Sequence, residues 1–113
     1  MYKKLQRILL IAILSTLSAT ASAELNVFAC EPEWAALARE LGGDMVEVYS
    51  ATTAMQDPHY IQARPSLIAK VRQADLVICS GAQLEIGWLP ALLQKANNRK
   101  VMPGTTGYME ASS

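Results

Sequence analysis

The four residues Leu76-Val77-Ile78-Cys79 offer no polar position. A strand that is apolar on both sides must be covered on both sides, which is the situation inside a parallel sheet. Parallel neighbours also need crossover connections, normally helices. The rest of the chain supplies them. Leu25 to Cys30 (LNVFAC) is a short β-rich run, and Val46 to Ala51 (VEVYSA) alternates weakly as a second strand. Between them Pro32 suits a first helical turn, and Trp34, Leu37, Ala38 and Leu41 recur on one helical face until Gly42-Gly43 stops the pattern. Pro65-Ser66 opens a second helix with Leu67, Ile68, Val71 and Ala74 on one face. A third carries Leu84, Trp88, Leu92 and Ala96, and it either starts near Trp88 or kinks there, because Gly87 and Pro90 interrupt it. Lys100-Val101-Met102 is expected as a fourth strand before the Pro103-Gly104 turn. The order β-α-β-α-β-α-β predicts an α/β fold with a four-stranded parallel sheet and three helices.

The amino end does not fit that alternation. Lys3, Lys4 and Arg7 precede an apolar run from Ile8 to Leu17, which passes through small residues to Ala21-Ser22-Ala23. A basic start, a short apolar stretch and an A-x-A site describe a secretory signal peptide. Residues 1–23 are therefore expected to be removed by cleavage between Ala23 and Glu24, and the run is short for a membrane span. Residues 24–113 then form the folded part. Those 90 residues carry seven basic and ten acidic side chains, a net charge of −3. With no basic excess to neutralise phosphates, a nucleic-acid role has no electrostatic support. A domain of this size buries only about 60–65% of its unfolded surface, so marginal stability is expected.

In open parallel sheets ligands collect at the carboxyl ends of the strands. Three chemical groups are expected there together: Cys30 after the first strand, His59 in the loop after the second, and Cys79 after the third. His59 is the sole histidine, in Gln56-Asp57-Pro58-His59-Tyr60, and Asp57 or a neighbouring carbonyl is placed to orient its ring. One imidazole alone is not a zinc site, since zinc takes three or four protein ligands. The cysteines admit four readings: buried packing first, then a disulfide, then metal ligation with His59, then redox chemistry. They are far apart in sequence and lack the C-x-x-C spacing that favours the last two. Glu31 and Glu33 flank Pro32 at a helix start, where carboxylates complement the dipole. Trp34 and Trp88 fit helix-core faces. No nucleophile elbow or phosphate-binding glycine loop is present, so nothing supports an enzyme.

Three stretches resemble the periplasmic substrate-binding proteins of zinc and manganese ABC transporters: Phe28 to Asp44 (FACEPEWAALARELGGD), Asp57 to Ser66 (DPHYIQARPS) and Ala74 to Glu85 (ADLVICSGAQLE). The most specific piece is Asp57-Pro58-His59 with Pro65-Ser66 downstream, the pattern around that family's first metal ligand. The resemblance implies that His59 is a direct metal ligand and gives no other residue such a role. It also implies a two-lobed protein with the metal in the cleft. This chain corresponds to an incomplete first lobe with sheet order 2-1-3-4, and the remaining ligands lie beyond the matching part.

The function so implied is the metal-binding component of an ABC importer, carrying a divalent ion, zinc ahead of manganese, through the periplasm to a membrane permease with its ATPase. The alternatives are a small exported α/β structural or interaction module, with Cys30–Cys79 as a staple and no metal, or a truncated copy without function. For the short chain, order 2-1-3-4 places one helix on one sheet face and two on the other, which leaves an apolar patch exposed.

Overall fold

The structure is a computed structural model that describes residues 2–5 and 24–113. Residues 2–5 are helical and exposed, and the rest of the expected signal peptide lies outside the described residues, as does Ala23 of the expected cleavage site. Among the described residues no helix is long and apolar enough to cross a membrane.

Proline sets the start of each helix in the folded part. Pro32, Pro65 and Pro90 occupy the first or second helical position, where a missing N–H costs nothing. The elements run β1 (Leu25–Ala29), α1 (Pro32–Gly42), a 3-10 turn (Gly43–Met45), β2 (Val46–Ser50), α2 (Pro65–Gln73) and β3 (Leu76–Cys79). They continue with α3 (Leu89–Ala96), a second 3-10 turn (Arg99–Val101) and β4 (Tyr108–Glu110). All strand pairs are parallel, in the order β2-β1-β3-β4. The helix after Trp88 starts there without a kink, because the preceding residues form turns.

The sheet separates two cores. On one face α2 and α3 pack over Phe28, Cys30, Leu67, Val77, Trp88 and Leu92, all buried. On the other, α1 alone covers Val27, Ala29 and Ile78. The face that α1 turns to the sheet is only in part the one expected from periodicity, with Trp34 and Ala38 against the core and Leu37 and Leu41 not. Ala35 is fully buried beside the first two, whereas the two leucines are exposed. Alanines let the helix backbone approach the pleat closely, so the small residues take the contact side.

The fourth strand also differs from expectation. The segment around Lys100-Val101-Met102 is a 3-10 turn, and the strand lies later, at Tyr108–Glu110. Asn98 explains the displacement. Its Nδ2 donates to the carbonyls of Val71 (2.9 Å) and Ala74 (2.8 Å), while its Oδ1 accepts from Lys100 N–H (3.1 Å). That ties the segment to the end of α2 and drops Val101 into the core instead of the ladder. Gly107 then passes so close that a Cβ there would collide with the Lys100 carbonyl. Only a glycine can bring the chain back beside β3 at this point.

Candidate functional site

The carboxyl ends of the strands point to one edge of the sheet, and the segments after β1, β2, β3 and β4 meet there. A depression of about 690 Å³ lies at this edge, lined by Trp34, His59, Ser80, Leu84, Ile86 and Ser112 among others. Its walls are built differently.

His59 sits in the loop after β2 with its side chain 57% exposed. Asp57 takes both its backbone and its ring: Asp57 Oδ1 accepts from His59 N–H (3.0 Å) and lies 2.7 Å from Nδ1. The two bonds, the backbone one first, hold the Asp57 carboxyl below its usual range, so it is a carboxylate at neutral pH. A carboxylate partner assigns the neutral-ring proton to Nδ1, which leaves the lone pair on Nε2. The loop is fixed from behind. Trp88 Nε1–H donates to the Pro58 carbonyl (2.7 Å), and a Cβ at Gly87 would stand 3.0 Å from the His59 carbonyl. Trp88 is thus a buried core residue, as expected, with a second task that the helical pattern does not show.

The opposite wall is the turn after β3. Gly81, Ala82 and Gln83 all have positive φ (78°, 50° and 70°), an unfavourable run for the two side-chain-bearing residues. Glu85 stabilises it by accepting from Ser80 N–H (2.9 Å) and Gly81 N–H (3.1 Å). Trp34 Nε1–H donates to Ser80 Oγ (2.8 Å), and Ser80 Oγ–H donates in turn to Glu31 Oε2 (3.1 Å). Trp34 is therefore only partly a core residue, since its indole also lines the depression.

Glu31 departs further from expectation. It precedes α1 but makes no capping bond, and it is 2% exposed, against Glu85 at 3%. Burial, then the hydrogen bond and charge of Glu85, push its carboxyl up to about 8, against the opposing effect of the Ser80 donors. Its Oε1 is buried without a donor. A proton shared between the two carboxyl groups supplies what that oxygen lacks. Glu33, on the exposed first turn, keeps the dipole role expected of it. Glu85 and Ser80 have no role in the sequence reading, yet the structure places both in this wall. The available signal was a glutamate shortly after a strand-ending Ser-Gly, which is apt for receiving turn N–H groups.

Cys30 and Cys79 are brought together beneath this network and joined in a disulfide, with Cα atoms 4.8 Å apart and both residues fully buried. Neighbouring strands β1 and β3 place them there: Cys30 N–H donates to the Ile78 carbonyl (2.9 Å), one step past the ladder. The packing and disulfide readings both describe the pair. While bonded, the two sulfurs are not available to join His59 around an ion.

Comparison with known proteins agrees with this fold. The family model "ZnuA: Zinc-uptake complex component A periplasmic" matches residues 27–112. The chain is similar to the metal ABC transporter substrate-binding lipoprotein ScbA of Streptococcus cristatus, 32% identical over 84 residues, 72% of this chain and 27% of that protein. It is also similar to the manganese ABC transporter substrate-binding lipoprotein PsaA of Streptococcus pneumoniae, 33% identical over 85 residues, 73% of this chain and 27% of that one. Among solved structures, a periplasmic metal binding protein from Candidatus Liberibacter asiaticus shares the fold, with a TM-score of 0.59 at 22% identity over 73% of this chain and 29% of that chain. The chain spans about a quarter of the length of the curated relatives it matches. By the family match over residues 27–112, the chain belongs to the ZnuA family.

Proposed function

We propose that the chain is the His59-bearing, amino-terminal part of an exported carrier that captures a divalent transition-metal ion. The carrier hands that ion to an ABC permease driven by its ATPase. The observation that supports this reading is the Asp57–His59 pair at the rim of the strand-end depression. A carboxylate-oriented imidazole is the usual form of a histidine that ligates metal. Imidazole and carboxylate donors suit zinc and admit manganese, and zinc is our choice because the matching family model is a zinc-uptake component. The relative named for manganese keeps that ion as the rival cargo.

A single imidazole binds weakly. A lone histidine is expected near the millimolar range, roughly 4 kcal/mol, whereas full zinc sites reach about 10–16 kcal/mol. Calorimetric zinc titration of the 113-residue chain, and of a form lengthened to a relative's full size, both with the Cys30–Cys79 disulfide intact, tests the reading. Tight binding is expected only in the long form, with His59→Ala removing much of it. Submicromolar binding by the short form that survives His59→Ala would show that the site lies elsewhere. The same proposal includes export by the cleaved leader. Amino-terminal sequencing of exported material is expected to begin Glu-Leu-Asn-Val, and recovery of intact Met1 in a membrane fraction would contradict it.

A further inference from the structure

Behind the His59 depression, the Cys30 and Cys79 sulfurs and a carboxylate oxygen of Glu85 all lie within 4.8 Å of one another, in three buried residues. Two sulfurs and an oxygen at that spacing are a soft, mixed donor set of the kind zinc and cadmium take. A second observation points the same way. Glu31 Oε1 is buried with no protein donor, and only the proton shared with Glu85 satisfies it while the site is empty. A cation entering between the two carboxyl groups takes that proton's place. Glu85 also lines a depression of about 380 Å³ together with Tyr108 and Glu110, while both cysteines are fully buried.

We propose that Cys30, Cys79 and Glu85 form a redox-gated site for a thiophilic divalent ion, closed while the disulfide stands and opened by its reduction. The reductant is a dithiol of the disulfide-exchange class. Its thiolate attacks one sulfur, its second thiol resolves the mixed disulfide, and it leaves as a disulfide. Cys30 and Cys79 are left as two thiols, having gained two electrons and two protons. Metal uptake then releases those two thiol protons and the proton shared by Glu31 and Glu85 to solvent and forms two metal–sulfur bonds, with the Glu85 carboxylate as third ligand and Glu31 Oε1 beside the fourth position. Two Zn–S bonds of about 2.3 Å at a tetrahedral angle need sulfurs roughly 3.8 Å apart. With the Cα atoms at 4.8 Å, side-chain rotation alone reaches that separation. The ion would sit under the turn that carries Ser80 and Gly81, so the redox state of the pair would also bear on the wall facing His59. The site itself does not use His59.

Cadmium titration of the full chain, with His59→Ala as background, separates this site from the one proposed above. After reduction and anaerobic removal of the reductant, an ultraviolet thiolate-to-cadmium charge-transfer band is expected to saturate at one equivalent. The oxidised chain is expected to show none. Glu85→Gln is expected to weaken the reduced-state affinity by at least about tenfold, since even the loss of a group outside the ligand set commonly costs 10–100-fold. X-ray absorption on the unsubstituted, reduced, cadmium-loaded monomer covers the case in which that variant fails to fold. Two sulfur and one or two oxygen neighbours support the site. The proposal is overturned by no band at stoichiometric cadmium in a chain with two titratable thiols, by an affinity unchanged in folded Glu85→Gln, or by a sulfur count other than two. Retention of this band, together with zinc binding by the lengthened form that does not depend on His59, would refute only the carrier reading.

Discussion

Glu31 titrates in a range where a folded acid seldom does. Its folded carboxyl holds a proton up to about 8, whereas the unfolded one releases it near 4.5. Between these values the folded chain carries the extra proton, so stability declines as pH rises through that window and levels off above it. Glu31→Gln keeps an acceptor for Ser80 and offers Glu85 a permanent donor. Its melting temperature is expected to exceed that of the parent at about pH 8.5, by a stability gain on the order of 1–3 kcal/mol, and to match it more closely near about pH 5. Melts at both pH values measure this, and a parallel pH dependence in parent and variant would exclude the shared proton. At this scale the sequence was uneven as a guide. His59 and its orienting Asp57 were legible because they are two residues apart. The Glu31–Ser80–Glu85 network was not, because its members come from two strand ends that only the β1–β3 pairing brings together.

Elements were legible wherever an apolar pattern and a proline or glycine agreed. β1, β2, β3 and the three helices therefore lie within a residue or two of their expected limits. β4 was not legible, since Tyr108–Glu110 is a short, half-polar edge strand and the more strand-like Lys100-Val101-Met102 is held out of the sheet by Asn98. The central pair of strands carries the covalent link, which closes a loop of 49 residues in sequence. On the chain-entropy account such a loop is worth about 4 kcal/mol, a large share of what a 90-residue domain possesses. Replacing both cysteines by alanine is therefore expected to lower the urea midpoint markedly while the domain still folds at about 25 °C. An unchanged midpoint would show that strand packing alone suffices.

For the whole molecule, the division of helices between the faces matters most. The α2–α3 side is closed, whereas α1 stands alone over a face that runs on to Met109, which pairs with Ile78 in register and is 51% exposed. Leu37 and Leu41 add exposed apolar surface on α1, the latter at 79%. A surface of this kind favours self-association. Sedimentation of the 113-residue chain is expected to show concentration-dependent oligomers, reduced by placing lysine at Leu37 and Met109. A monodisperse monomer at high concentration would contradict this. The two indoles, finally, are tied one to each wall of the depression: Trp88 to the carbonyl before His59, and Trp34 to the hydroxyl of Ser80. They are the chain's full complement of tryptophan, so its intrinsic fluorescence reports on both of those walls and on nothing else in the chain but its tyrosines.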